Sequence, residues 1–234
     1  MKKKNKIYIF LSILMVFLLI FIISCKKKDD NNNSSTLGRI ITDIDSNIYH
    51  SVAIGTQVWM VENLKVVHYS NGDPIPNVTD NTEWSNLKTG AYCDYNNTPD
   101  SSKIYGKLYN FYTVIDSRNI CPWGWHVPTD AEWTKLTAFL GGENNAGSKL
   151  QETGSVHWHR PSLIEPTNET GFTALPSGFR RWYGPFDYIG DAGFWWSSTE
   201  NDTCYSWCRF LHTVFVRPSP FNKPYGLSVR CVKD

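Results

Sequence analysis

Gly124-Trp125-His126-Val127-Pro128-Thr129-Asp130-Ala131-Glu132-Trp133 decides the reading of the fold. Within it Thr129-Asp130-Ala131-Glu132 is a capping box. The Thr129 hydroxyl and the Glu132 carboxylate each satisfy a backbone N–H that the first turn of a helix leaves without a partner. Trp133, Leu136 and Leu140 follow at i, i+3 and i+7 on one stripe, with Phe139 beside it, and Gly141-Gly142 supplies a left-handed stop. The spacing predicts an amphipathic helix that begins at Pro128 and packs on a sheet. A shorter helix is expected over about Ala146 to Glu152.

Upstream the pattern is strand-like. Ile44 and Ile48 flank the turn residues Asp45-Ser46-Asn47. Val52 and Ile54 alternate before Gly55-Thr56, and Val58 and Met60 follow, which reads as an antiparallel meander. Downstream, Gly and Pro recur from Gly154 to Gly193, so few elements there are expected to exceed five or six residues. From Gly38 to Asp234 the composition is uniform, without a second linker or a repeat, as in a single domain.

The 234 residues are 41% hydrophobic and 19% charged, a globular composition. Lys and Arg number 23 against 22 Asp and Glu, which leaves no bulk positive field for nucleic acid. Four lysines lie within Met1 to Lys6, ahead of seventeen almost wholly apolar residues, Ile7 to Ile23. A basic leader followed by an apolar run is an export signal. Seventeen residues lie at the short edge of a bilayer span, and Ile22-Ile23-Ser24-Cys25 resembles a bacterial lipobox. The resemblance favours cleavage after residue 24 and acylation of Cys25 over an uncleaved anchor, and it makes a membrane the first expected partner. Lys26 to Ser35 is polar and without period, so residues 25–37 read as a lipidated cysteine and a flexible tether. Lys28-Asp29-Asp30 resembles the surface-export signals of Bacteroidetes-type lipoproteins, which implies an outer-membrane, surface-exposed protein. Without residues 1–24, 19 basic residues stand against 22 acidic ones, a net charge of −3.

Beyond Cys25 five cysteines remain, Cys93, Cys121, Cys204, Cys208 and Cys231, and an odd number cannot all pair within one chain. A Cys121–Cys231 bridge, from the segment before the helix to the last strand, would staple start to end and is the favoured pair.

Asp43 to Tyr49, Trp59 to Lys65, Gly124 to Trp133, Gly171-Phe172-Thr173-Ala174-Leu175-Pro176, Trp195 to Glu200 and Val229 to Asp234 form ordered blocks. Together they resemble the Fibrobacter succinogenes major paralogous domain, common in exported lipoproteins, over about Asp43 to Asp234. The family has no established activity, so the resemblance implies location and fold and no catalytic residues. Pro128 to Trp133 and Arg230-Cys231 are also distantly similar to the formylglycine-generating, sulfatase-modifying branch of the C-type lectin-like architecture. That likeness implies an α+β domain: two helices packed on twisted antiparallel strands, with long Gly- and Trp-rich loops carrying function.

Several short patterns bear on chemistry. In Cys204-Tyr205-Ser206-Trp207-Cys208 the resemblance to formylglycine-generating enzymes implies a Cu(I) site, since soft thiolates select Cu(I), although the spacing is one residue shorter than in that family. On a strand the two thiols would stand about 13 Å apart, too far to share a metal. They read otherwise as half-buried thiols, or as one disulfide with Cys93. His157 and His159 lack a third ligand of clear spacing. Glu165-Pro166-Thr167-Asn168 and Glu200-Asn201-Asp202 only partly match the calcium motifs of sugar-binding lectins. Trp133, Trp125 and Trp196 are expected in the core. Trp182 and Tyr183, between Arg180-Arg181 and Gly184-Pro185, read as a loop tip with an aromatic platform that Tyr188 joins. No cofactor, catalytic triad or phosphate loop is expected. The expectation is therefore a non-enzymatic binding module for polysaccharide or protein, with a copper-dependent oxidase or a structural envelope component as the alternatives.

Overall fold

The structure, a computed structural model, describes residues 38–159 and 164–234. The leader over 1–24, the lipid site Cys25 and the tether over 25–37 lie outside the described residues. The elements begin with β1 (Ile41–Thr42), β2 (Ile48–Tyr49), β3 (Ser51–Ile54), β4 (Gln57–Met60), α1 (Asn81–Ser85) and β5 (Tyr92–Cys93). A 3-10 turn (Tyr95–Asn97), α2 (Pro99–Tyr105), β6 (Leu108–Tyr109), α3 (Phe111–Val114) and β7 (Trp125–His126) follow, then α4 (Asp130–Phe139) and α5 (Ala146–Leu150). The chain ends through β8 (Ser177–Arg180), β9 (Phe186–Ile189), β10 (Gly193–Glu200), β11 (Tyr205–His212), β12 (Phe215–Asn222) and β13 (Val232–Lys233).

All strand pairs are antiparallel. Two sheets carry the fold, one of four strands ordered β3-β4-β13-β7 and one of three ordered β10-β11-β12, and β1-β2, β5-β6 and β8-β9 are separate two-stranded pairs. The expected opening meander is thus two hairpins in different sheets. Asp43 closes the first hairpin, its two oxygens accepting from Asp45 N, Asn47 N, Asn47 Nδ2 and Tyr49 OH, and His50 separates that hairpin from the second. Among the described residues five α-helices stand where two were expected, because α1, α2 and α3 span only four to seven residues, too short for a periodic signal.

The capping box at Thr129 and Glu132 forms as read, and Trp133, Leu136 and Leu140 are buried. Phe139, off that stripe, is exposed. The helix is fastened to the sheet beneath it by Arg209 of β11, which ion-pairs with Asp130 and donates to Thr134 Oγ1 at 2.8 Å. Elements remain short through the Gly- and Pro-rich stretch, but β10, β11 and β12 run eight residues each. Pro218 and Pro220 do not stop β12, because it is an edge strand paired only with β11.

Successive residues of a strand face opposite ways. Trp195 therefore packs with Trp59, Trp133 and Phe172 on the side of α4, while Trp196 packs against Phe111 on the other side. Across these layers lies a polar node. Asn63 Oδ1 accepts from Trp195 Nε1 at 2.7 Å and from Arg230 Nε and Nη2 at 3.1 and 2.9 Å, while Asn63 Nδ2 donates to Tyr105 O at 2.8 Å. Arg230 also donates to Phe172 O and lies 4.1 Å over the Phe172 ring.

Cys121 and Cys231 form a disulfide with their Cα atoms 6.1 Å apart and 110 residues between them in sequence. The bridge holds β13 in place between β4 and β7. Cross-linking so long a loop removes entropy from the unfolded chain, so a Cys121→Ala, Cys231→Ala double variant is expected to lose about 3–5 kcal/mol in denaturant unfolding. An unchanged stability would show that the bridge is not formed in the native protein.

His126 of β7 ties the same region together, with Nδ1 2.6 Å from Asp234 Oδ1 and Nε2 2.9 Å from Glu132 Oε1. Burial acts to lower the imidazole pKa, but the hydrogen bonds to Asp234 and Glu132 outweigh it and the net shift is upward. A group raised in the folded state stabilises fully below its unfolded value and loses that contribution as pH rises through the folded value. The difference in Tm between the wild type and His126→Gln is therefore expected to be largest below about pH 6.5 and to shrink as pH rises above it. A difference independent of pH would separate His126 from this role.

Candidate functional site

One face of the three-stranded sheet carries a cluster of aromatic rings around an open groove. Phe194 of β10 lies opposite Phe210 of β11, and the two rings stack with centroids 4.9 Å apart and planes at 26°. Phe221 of β12 packs 5.5 Å from Phe194, and Tyr225, just past that strand, meets Phe221 edge-on at 4.9 Å. The β8-β9 hairpin closes one side. Its Phe179 touches Phe194, Phe221 and Tyr225 at 4.8, 5.7 and 5.6 Å. The result is an open groove of about 320 Å³ with Phe179 and Phe194 as its buried floor and Tyr188, Arg181, Tyr225 and Ser219 among its walls.

Tyr188 stacks on Phe179, with centroids 5.5 Å apart and planes at 25°. Its backbone is left-handed, φ 65°, which costs a bulky residue of order 1 kcal/mol and persists only where the surroundings enforce it. Here Asp191 N and Ala192 N both donate to Tyr188 O at 3.0 Å. Arg181 ion-pairs with Asp187, which raises the guanidinium pKa, and its guanidinium lies 5.6 Å over Phe179 and 5.9 Å over Tyr183. Burial raises Tyr225 above its ordinary value while Arg181 draws it down, and the net rise keeps the hydroxyl protonated at neutral pH. The groove thus offers flat apolar faces with a cation and phenolic hydroxyls at its margin, which suits recognition of a ligand with an apolar face and a polar edge.

Trp182 and Tyr183 lie at the tip of the β8-β9 hairpin and are exposed, as read, but they meet at 76°, edge to face, rather than as a flat platform. Tyr188 does not join them, since it lies on β9 and belongs to the groove, with Arg181 as the link. The hairpin is held by Arg180, a fully buried guanidinium that donates to Gly184 O, Val78 O, Thr79 O and Asn81 Oδ1 and lies 4.3 Å from the Trp84 ring.

Cys204 and Cys208 are not brought together. Cys204 ends an exposed turn before β11, and Cys208 is sealed inside that strand, four residues on, about 13 Å at ~3.3 Å per residue. Cys93 is also free and buried, so the expected bridge between it and either thiol is absent. His157 pairs with Glu152 at 2.8 Å, and His159 lies against Gly190, so the two imidazoles have separate surroundings. Asp202 caps the turn at Cys204 N and Tyr205 N, and Asn168 closes a turn onto Thr173. Among the described residues no group of three or more His, Cys, Asp or Glu side chains is placed to hold a metal ion.

Sequence reading missed Phe179, Phe194, Phe210, Phe221, Tyr225 and Arg181. The alternation Phe194/Trp196, Phe210/Cys208 and Phe221/Ser219 puts these side chains on one face of their strands, but only the register Phe194↔Phe210 makes them one surface.

The fold is a mixed α and β domain with antiparallel sheets and an open aromatic groove. The chain belongs to the Fibrobacter succinogenes major domain family, whose model matches residues 52–233. The family is one of unknown function, so membership brings no assigned activity. No curated protein and no solved structure matches the chain.

Burial pushes the Cys93 thiol up to about 12, against the nearby Arg180, and pushes Cys208 further. Thiolates, not thiols, react with alkylating agents. In the native domain iodoacetamide is expected to modify Cys204 alone, with Cys93 and Cys208 modified only after unfolding, as read by peptide mass spectrometry. Rapid native labelling of Cys208 would contradict the sealed strand.

Proposed function

We propose that this chain is a lipid-anchored protein of the outer membrane, attached through acylated Cys25 and facing outward, and that its domain, of C-type lectin-like architecture, is a non-enzymatic module that binds polysaccharide. The leader, the lipobox-like tetrapeptide and the polar tether support the anchoring. The observation that carries the binding role is the open groove whose floor is Phe179 and Phe194 and whose walls include Tyr188, Tyr225 and Arg181. A pyranose ring has a face of C–H groups and an edge of hydroxyls. The first matches the stacked rings, and the second matches phenolic hydroxyls and a guanidinium at the margin. Trp182 and Tyr183 extend this surface at the hairpin tip, within reach of a ligand longer than one sugar.

The full chain, purified from membranes in detergent, is to be assayed against immobilised polysaccharides and a protein panel. Tyr225→Ala and Tyr188→Asn, the latter keeping a residue that tolerates positive φ, are each expected to weaken polysaccharide binding about tenfold, equivalent to about 1.4 kcal/mol. Retention of no polysaccharide, or binding untouched by both variants, overturns the reading. Groove-dependent binding of a protein instead would replace the ligand class.

A further inference from the structure

A second apolar surface lies far in sequence from the groove residues and uses none of them. In the β1-β2 hairpin the burial alternates, so that Ile41 and Asp43 are buried while Ile40, Thr42 and Ile44 face outward. Thr42 pairs with Ile48 across the hairpin, which puts Ile48 on the same outward face. Ile40, Ile44 and Ile48 are 66%, 53% and 60% exposed. Thr42 and Ile44 share a cavity of about 470 Å³ with Trp123, which is 97% exposed. That exposure is built in. Trp123 stands on a turn between Pro122 and Gly124, closed by Trp125 N on Pro122 O at 3.0 Å and rooted next to the Cys121–Cys231 bridge. An indole held almost wholly in water by a disulfide-rooted turn, beside exposed Ile44 of a hairpin that also exposes Ile40 and Ile48, is a patch in want of a partner.

The position of this patch identifies the partner. Gly38 N donates to Ser51 O at 2.7 Å, which fixes the point where the chain enters the domain two residues before Ile40. With a lipid on Cys25, thirteen residues to Leu37 would separate it from this point, and a flexible polar linker of that length spans about 20 Å. A lipid on Cys25 would therefore hold this surface, which begins two residues past the entry point, at high effective concentration over the bilayer. Indole is suited to the headgroup zone, with its apolar body buried and its N–H wet, and the exposed Arg39 next to Ile40 is suited to lipid phosphate.

We infer that Ile40, Ile44, Ile48 and Trp123 dock into the interfacial zone of the membrane that carries the chain's own lipid anchor. The domain then lies against the bilayer with one face committed to lipid, rather than swinging free on its tether. This rests on the anchoring half of the proposed function and is independent of the ligand that the groove takes.

The test uses the full chain isolated from membranes and reconstituted into vesicles of phosphatidylethanolamine and phosphatidylglycerol with brominated acyl chains, which quench tryptophan on contact. Trp123→Phe is expected to remove roughly half or more of the bromolipid quenching seen in the wild type, since Trp123 is the indole placed at the interface. Ile40→Ser combined with Ile48→Ser is expected to reduce it likewise while leaving Trp123 in place. Both sites are exposed, so the variants should keep the wild-type unfolding transition, and circular dichroism checks this. Equal quenching in the wild type and Trp123→Phe overturns the docking. Intact mass decides the anchoring separately. A chain without the added diacylglycerol refutes acylation, and the quenching comparison on the same vesicles still decides whether the surface meets lipid.

Discussion

The hydrogen bonds that Asn63 Oδ1 accepts from Arg230 and Trp195 are the contact on which the arrangement of the sheets depends. Asn63 follows β4, Arg230 precedes β13 and Trp195 lies in β10, so one amide connects the four-stranded sheet, the three-stranded sheet and the closing segment. Arg230 is fully buried, and among the described residues no carboxylate bonds it. Burial lowers its pKa to about 9, with Glu62 acting in the other direction, so the guanidinium remains a cation at neutral pH. A buried charge without a counter-ion is tolerated only where its N–H groups are satisfied, and Asn63, the Phe172 carbonyl and the Phe172 ring do this. Any displacement of β4 relative to β10 would strand that charge, which makes the packing of the layers all-or-none.

Two further buried arginines repeat the device where the fold has little regular structure. Arg209 binds the first turn of α4 to β11, and Arg180 gathers carbonyls from Val78, Thr79 and Gly184 to seat the β8-β9 hairpin. A planar fork of donors suits this work, since it collects several backbone oxygens from segments too irregular to pair with each other. The hairpin that Arg180 holds carries Phe179, Arg181, Tyr183 and Tyr188. The hairpin side of the aromatic surface is therefore positioned by a buried cation, and the rest by the register of β10, β11 and β12. The aromatic groove and the surface of the β1-β2 hairpin with Trp123 share no residue.

Much of the local structure was legible. The capping box at Thr129 and Glu132, the buried stripe of Trp133, Leu136 and Leu140, and the left-handed glycines at 141 and 142 all rest on interactions within one turn or one helix. The Cys121–Cys231 pairing was legible because the odd count and the placement of the two cysteines left a staple as the favoured solution. The short helices were not, since four to seven residues carry no period. The length of β10, β11 and β12 was not either, because Gly and Pro content says where strands break and not where they persist. Tyr188 was assigned to the hairpin tip by its nearness in sequence to Trp182, whereas a left-handed backbone turns its ring back onto Phe179.

By itself the sequence determined the helix with its cap, the bridged cysteines and the family, since each depends on residue identity over a short span or on ordered blocks. Only the tertiary structure decided which aromatics share a surface and which cation serves which carbonyl. Phe179, Phe194, Phe210 and Phe221 are scattered over forty-three positions and meet only through strand register and the seating of one hairpin. Asn63 and Arg230 stand 167 residues apart and meet only when the layers close. Such contacts are long-range and cooperative, and no local pattern of residues encodes them.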